Sequence, residues 1–166
     1  MAKSEEEMDA TQLLASDHRT VEDLFEKYEK ARNLDRKKDL VREICTELKI
    51  HAMIEEEIFY PACRGEVEDE DLDEALVEHD SAKLLINELE SADPDEDFYD
   101  SKVKVLQEQI EHHVKEEERQ QGNIFSQARK GGINLDDLGD KLRERKKELK
   151  HIAQNEGIGP AETTTM

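Results

Sequence analysis

This chain has no tryptophan, three prolines and seven glycines in 166 residues, and aromatic residues make up 4% of it. Sheet proteins draw on aromatic and β-branched side chains and on frequent turn residues, so their scarcity points to a few long amphipathic helices. No apolar run approaches the ~20 residues of a membrane span, and Met1-Ala2-Lys3-Ser4-Glu5-Glu6-Glu7 carries no signal-peptide apolar core. Positive charge is short as well. There are 24 Lys and Arg against 44 Asp and Glu, a formal charge of −20, which argues against nucleic acid or an anionic membrane as the main partner. A cytoplasmic protein that attracts cations is the expectation. The two cysteines, Cys45 and Cys63, fall on one predicted helix roughly 27 Å apart and cannot pair within it. Both read as reduced packing residues.

What is present is helical periodicity. Residues 1–8 are acidic, aperiodic and expected to be disordered. A helical bundle is expected over 9–132. Its first helix, from about Asp9 to Arg32, carries the stripe Leu14, His18, Val21, Phe25, Tyr28. The second, about Lys37 to Arg64, carries Val41, Ile44, Leu48, His51, Glu55, Phe59. The third, about Asp71 to Ser91, carries Leu72, Ala75, His79, Ala82, Ile86, Leu89. The fourth starts near Asp97, after the Asp93-Pro94-Asp95 turn, and carries Val103, Leu106, Ile110, His113, Glu117 before Gly122 disturbs the pattern. Gly131-Gly132 closes it. A short amphipathic helix is expected over 133–153, followed by a disordered tail over 154–166.

Histidines sit within the apolar stripes, and two glutamates share them. Val41, Ile44, Leu48, His51 and Glu55 correspond to Val103, Leu106, Ile110, His113 and Glu117 at an offset of 62. His18 corresponds to His79 at an offset of 61. A histidine and a glutamate four positions apart leave one face of a helix about a turn apart. Two helical hairpins assembled as a bundle would gather His18, His51, His79, His113, Glu55 and Glu117 around one point. Two buried carboxylates are costly without a cation, and imidazole with carboxylate is a donor set that first-row transition ions accept. His112-x3-Glu116 has the same spacing, but stepping back from it meets Glu108, so the stripe selects His113 and Glu117 and leaves His112 on the flank. Glu22, four after His18, has Lys83 as its counterpart and reads as peripheral. Glu148-x-x-His151 stands alone and reads as chance.

The order His18, His51-x3-Glu55, His79, His113-x3-Glu117, with Asp17-His18, Glu78-His79-Asp80 and Glu55-Glu56-Glu57-Ile58-Phe59-Tyr60-Pro61, resembles the hemerythrin-like HHE cation-binding domain over about residues 11–130. The resemblance implies an all-α, up-down-up-down four-helix bundle with an extra C-terminal helix. It also implies two iron ions in an oxo- or hydroxo-bridged centre. The four histidines would be terminal ligands, with Glu55 and Glu117 as bridges.

One departure matters. Oxygen-carrying hemerythrins have a His-x3-His on the third helix, whereas Lys83 lies four after His79 here and Ala75 four before it. Two octahedral ions need roughly 12 positions, and the donors above fill about 10, leaving about two open. An exchangeable position on each iron favours peroxide or NO chemistry, or sensing, over a reversible carrier. The expectation is a protein that binds or reacts with O2, hydrogen peroxide or NO, for sensing or detoxification, whether or not it turns them over. An iron-responsive regulatory module, reversible O2 binding and a metal-free acidic interaction protein are the alternatives. The halves lose register after Glu117, where Ile58-Phe59 matches Ile124-Phe125 at an offset of 66, so that stretch is expected to alter access or add a ligand.

Overall fold

The computed structural model describes residues 3–166, which are helical with no β-strand. The long helices are α1 (Ala10–Lys30), α2 (Leu34–Ile54), α4 (Asp69–Glu90) and α5 (Tyr99–Val114), with the short α3 (Tyr60–Cys63) continuing α2. They form an up-down-up-down four-helix bundle. Two more helices follow, α6 (Ile124–Lys130) and α7 (Leu135–Asn155).

Local chemistry sets the boundaries. Asp9 and Gln12 form a reciprocal capping box at the start of α1: the Asp9 carboxylate accepts from the Gln12 N–H at 3.0 Å, and the Asp9 N–H donates to Gln12 Oε1 at 3.1 Å. Asn33 caps α2 by accepting from the Arg36 N–H at 3.1 Å, so that helix begins three residues before the expected Lys37. Phe98, at φ 69°, occupies the left-handed region just before α5.

Both helices that carry a His-x3-Glu pass through a π turn at the glutamate. These turns span Glu55–Phe59 and Lys115–Arg119. The first closes with the Tyr60 N–H on the Glu55 carbonyl, and the second with the Gln120 N–H on the Lys115 carbonyl at 2.8 Å. The wider turn holds an extra residue, which rotates the side chains that follow and commonly marks a functional site. After the first turn the chain remains helical through α3. After the second it breaks at Gln120–Asn123, where Gly122 takes φ +70°, before α6 restarts under an Asn123 cap. This break is the four-residue insertion seen as a loss of register. None of its residues enters the cluster of buried ligands.

The core is divided. One apolar cluster includes Leu13, Leu14, Ile50, Ile54, Phe59, Leu72, Ala75, Phe125 and Leu142. The other includes Val21, Phe25, Ile44, Leu48, Ala82, Ile86, Val103 and Leu106. Along α1, α2 and α4 a histidine marks the change: His18 lies between Leu14 and Val21, His51 between Leu48 and Ile54, and His79 between Ala75 and Ala82. A buried polar layer therefore crosses the bundle between two oily ones.

The C-terminal helix expected over 133–153 is present as α7, with 21 residues, while two expectations of disorder are corrected. Helix α7 lies against α1 so closely that a Cβ at Gly139 would stand 2.9 Å from the Met8 carbonyl oxygen. The 154–166 tail, expected to be disordered, lies on the bundle, where Asn87, Asp80 and Lys49 bond its backbone. Within 1–8, Glu5–Glu7 form a 3-10 turn and Glu5 meets Lys146 of α7 at 2.9 Å; Met1 and Ala2 lie outside the described residues. Cys45 and Cys63 are free and buried, and burial pushes each thiol up to about 12. Among the described residues, no helix is long and apolar enough to cross a membrane.

Candidate metal centre

The polar layer contains His18 from α1, His51 from α2, Glu55 and Glu117 from the two π turns, His79 from α4 and His113 from α5. All six are buried, and both glutamates are fully so. The structure thus gathers all six residues picked out by the stripe argument. Their ligand atoms fall into two overlapping groups that share Glu55, namely His18, His51, Glu55 and Glu117, and Glu55, His79 and His113.

Each imidazole is held from behind. His18 Nδ1 lies 3.0 Å from Glu118, His51 Nδ1 3.0 Å from Asp17, His79 Nδ1 2.8 Å from Glu56, and His113 Nδ1 2.8 Å from Glu78. A carboxylate only accepts, so Nδ1 carries the proton and the Nε2 of a neutral ring turns its lone pair inward. The Nε2 atoms then meet one another and the glutamates. His18 and His51 approach to 3.1 Å, and His79 and His113 to 3.2 Å. Glu55 Oε1 lies 3.1 Å from His51 Nε2 and 3.2 Å from His79 Nε2, and Glu117 Oε1 lies 3.1 Å from His18 Nε2.

These approaches are ion pairs by distance only. With Nδ1 already the donor, no hydrogen lies between Nε2 and a carboxylate oxygen unless the ring takes up a second proton. Glu55 Oε1, Glu55 Oε2 and Glu117 Oε1 accordingly have no hydrogen-bond partner. Lone pairs converging on lone pairs in a buried layer need a positive charge between them. In the metal-free chain protons meet that need. Burial opposes protonation of His51, yet the Glu55 charge beside it raises its pKa well above the ordinary value. His113 is raised likewise against its burial by Glu117, and His18 by Glu117 and Glu118. Burial would raise Glu55, but the histidines around it, His51 foremost, hold it well below the carboxylate range. A metal cation satisfies the same atoms without protons. The residues fit.

Several side chains in contact with the layer do not follow from the apolar stripes. Tyr60 is fully buried; its hydroxyl donates to Glu117 Oε2 at 2.5 Å and stands 3.3 Å from His79 Nε2 and 3.4 Å from His113 Nε2. Burial, then the charges of Glu117 and Glu55, push its pKa well above the ordinary value. It faces the His79–His113 group, which has one donor fewer than the other. The four backing carboxylates also went unassigned, although their positions repeat: Asp17 and Glu78 stand 61 apart, Glu56 and Glu118 stand 62 apart. Three are anchored in turn by cations. Lys146 of α7 reaches Asp17 at 2.6 Å, Lys83 reaches Glu56 at 2.9 Å, and Arg19 bonds Glu118. Lys83, which stands where a fifth histidine was absent, is therefore two bonds removed from the centre.

The remaining candidates lie outside the layer. His112 is 63% exposed on the flank, 2.9 Å from Glu116 and 3.2 Å from Glu78. Glu22 pairs at the surface with Arg19 and Arg119, and His151 is exposed beside Asn155. Beside the centre, a cavity of about 510 Å3 touches all four histidines and opens between the helices and the C-terminal tail.

A four-helix bundle with a buried layer of four imidazoles and two carboxylates defines a metal-binding helical protein. Comparison with known sequences gives the same class: residues 9–122 match the Hemerythrin family, described as the hemerythrin HHE cation binding domain. The chain belongs to that family. It is 23% identical to a hemerythrin HHE cation binding domain-containing protein from Mycobacterium kansasii, whose solved structure superposes with a TM-score of 0.74 over 91% of this chain and 95% of that one. It is also 25% identical over 113 residues to a DNA nickase of Nostoc sp. (strain PCC 7120 / SAG 25.82 / UTEX 2576), covering 68% of this chain. The chain spans about a third of that relative's length, 32%.

Proposed function

We propose that this protein is a non-heme di-iron protein that binds or reacts with O2, hydrogen peroxide or NO, for sensing or detoxification. The observation that carries the reading is the set of inward lone pairs: four Nε2 atoms tied at Nδ1, and three carboxylate oxygens without a partner. His18, His51, His79 and His113 would be terminal ligands, with Glu55 and Glu117 as bridges. Iron, when bound, supplies Lewis-acid and redox chemistry.

The chain's own residues do the rest. The backing carboxylates fix each ring's tautomer and orientation. Tyr60 holds a proton against Glu117 Oε2, beside the group that has fewer donors. The two apolar clusters keep bulk water from the layer above and below. The neighbouring cavity touches all four rings and is ample for a diatomic or a peroxide.

Anaerobic loading with ferrous iron followed by metal analysis and an optical spectrum tests this. About two irons per chain, with ferric charge-transfer bands that azide or peroxide perturbs, is the expected result. A colourless protein with under one iron per chain would sink it.

A second reading, an iron-responsive regulatory module, is favoured by one link: Lys146 ties α7, a helix outside the bundle, to His51 through Asp17. It predicts a metal-dependent rise in melting temperature without turnover of peroxide or NO. DNA cleavage, suggested by the name of the Nostoc relative, is disfavoured by the charge of −20, which repels phosphates.

A further inference from the structure

Beyond α7 the chain turns back across the bundle. Lys49 Nζ donates to the carbonyls of Ile158 at 3.1 Å and Gly159 at 3.2 Å. The Asn87 side chain exchanges two hydrogen bonds with the Ala161 backbone, at 2.9 and 2.8 Å. The carboxylate of Asp80, fully buried, accepts from the N–H groups of Thr164 at 2.8 Å and Thr165 at 2.6 Å and from the Thr165 hydroxyl at 2.5 Å. The Thr164 hydroxyl bonds Glu56, the carboxylate that holds His79 Nδ1 at 2.8 Å. A seven-residue part of this segment, Ile158–Thr164, lines the cavity that touches the four histidines.

We propose that Ile158–Thr165 is a strap that controls access to the metal centre and limits the size of what reaches it. The inference rests on the metal-centre reading above.

The cavity is too large to be the filter. At about 510 Å3 it exceeds many times over the ~30 Å3 share of a water-sized molecule. Selection must then fall to its wall. Every other lining residue belongs to a helix of the bundle or to the first π turn. Only the strap lacks helical hydrogen bonds; its one apolar anchor is the half-buried Ile158, packed against the cluster of Leu14 and Phe59, and otherwise it is held by the side chains of Lys49, Glu56, Asp80, Lys83 and Asn87. Segments attached in this way open locally at a fraction of the cost of global unfolding. The attachment also reaches the centre chemically, because the Thr164 hydroxyl and Lys83 Nζ share the carboxylate that orients His79.

The test uses the full chain with Asn87→Ala and Ala161→Pro together. These changes remove both Asn87–Ala161 bonds and lie eight or more residues from any proposed ligand. Losing two such bonds raises the open fraction by roughly 10- to 100-fold. In metal-free protein, diethyl pyrocarbonate modification of His18, His51, His79 and His113, read by mass spectrometry against exposed His112 and His151, should accelerate by about tenfold or more. In iron-loaded protein, extraction by EDTA should accelerate similarly with iron stoichiometry unchanged. Hydrogen exchange at the Thr164 and Thr165 amides reports release of the strap. If those amides lose protection while both access rates stay within twofold of the parent, the strap is no gate. If the amides exchange like free peptide in the parent, there is no strap. Should the parent take up no iron while histidine modification still accelerates, the strap stands and the di-iron reading falls.

Discussion

Replacing Asp17 with asparagine tests how far the polar layer depends on the helix outside the bundle. Asp17 is buried, with Oδ1 2.6 Å from Lys146 Nζ and Oδ2 3.0 Å from His51 Nδ1. Burial would raise its pKa, but the hydrogen bond from His51 and the charges of His51 and Lys146 hold it below the ordinary value. Burial would lower Lys146, yet Asp17 raises it. The pair therefore stays ionised at neutral pH. Removing one partner of a buried pair costs about 3–5 kcal/mol. Glu5, 49% exposed and 2.9 Å from Lys146, still partners the lysine, so the expected loss lies near the low end, about 3 kcal/mol. For a chain of this size that is a fall of roughly 6–12 °C in melting temperature. Metal affinity should also drop by about 10- to 100-fold, because the one amide oxygen cannot accept from both Lys146 and His51, so the His51 tautomer is no longer fixed. Differential scanning calorimetry of the metal-free protein and competitive chelation of the loaded one measure the two effects. Lys146→Met, alone and combined with Asp17→Asn, completes the cycle: the double variant should recover at least about 1.5 kcal/mol relative to the sum of the singles. An Asp17→Asn melting temperature within about 2 °C of the parent, or an additive cycle, would refute the reasoning.

Three further outcomes follow from the same geometry. His18, His51 and His113 have folded pKa values raised above the ordinary 6.5, so the stability they contribute is full below 6.5 and is lost as pH rises through the folded values; metal-free protein should melt progressively lower from pH 6.5 upward, whereas iron-loaded protein should not, and loading at neutral pH should release protons measurable by a pH indicator. Tyr60→Phe removes the donor 2.5 Å from Glu117 Oε2, and chemical denaturation of the metal-free variant should show a loss of about 1–3 kcal/mol, with an unchanged midpoint disproving that bond. Phe98→Gly relieves a left-handed backbone at a side chain that is 74% exposed, so a rise of about 1 kcal/mol is expected by the same method, and a fall would locate a contact for Phe98.

How much of this was readable from residues alone depends on range. His18, His51, His79 and His113 could be found because each interrupts an apolar stripe, and a stripe is a property of one helix. Glu55 and Glu117 followed from their four-residue spacing within the same helices. The backing carboxylates could not be found that way, because each sits beside a ligand in sequence yet serves a ring on another helix: Asp17 holds His51, and Glu118 holds His18. Their repeat at the offsets of the ligands was a signal, but periodicity gives it no role. Tyr60 is directed by the π turn, which follows from no propensity. Lys146 and the tail are more than a hundred residues from the groups they meet on α1 and α2, and a stripe that fixes which face is buried does not say against what. The tail's polar, glycine-containing composition suggested disorder, whereas side-chain hydrogen bonds from the bundle supply the order.

The polar layer between the two apolar clusters also bears on how this sequence can vary. Side chains in one cluster, such as Leu14, do not pack against those of the other, such as Leu106. Paired core substitutions on opposite sides should therefore combine independently, within about 0.5 kcal/mol of additivity, while pairs on one side need not. Each end of the bundle can drift to its own solution for filling space. The layer binds them to a common requirement through its four rings and two glutamates, so the sequence is free in two halves and constrained at the seam.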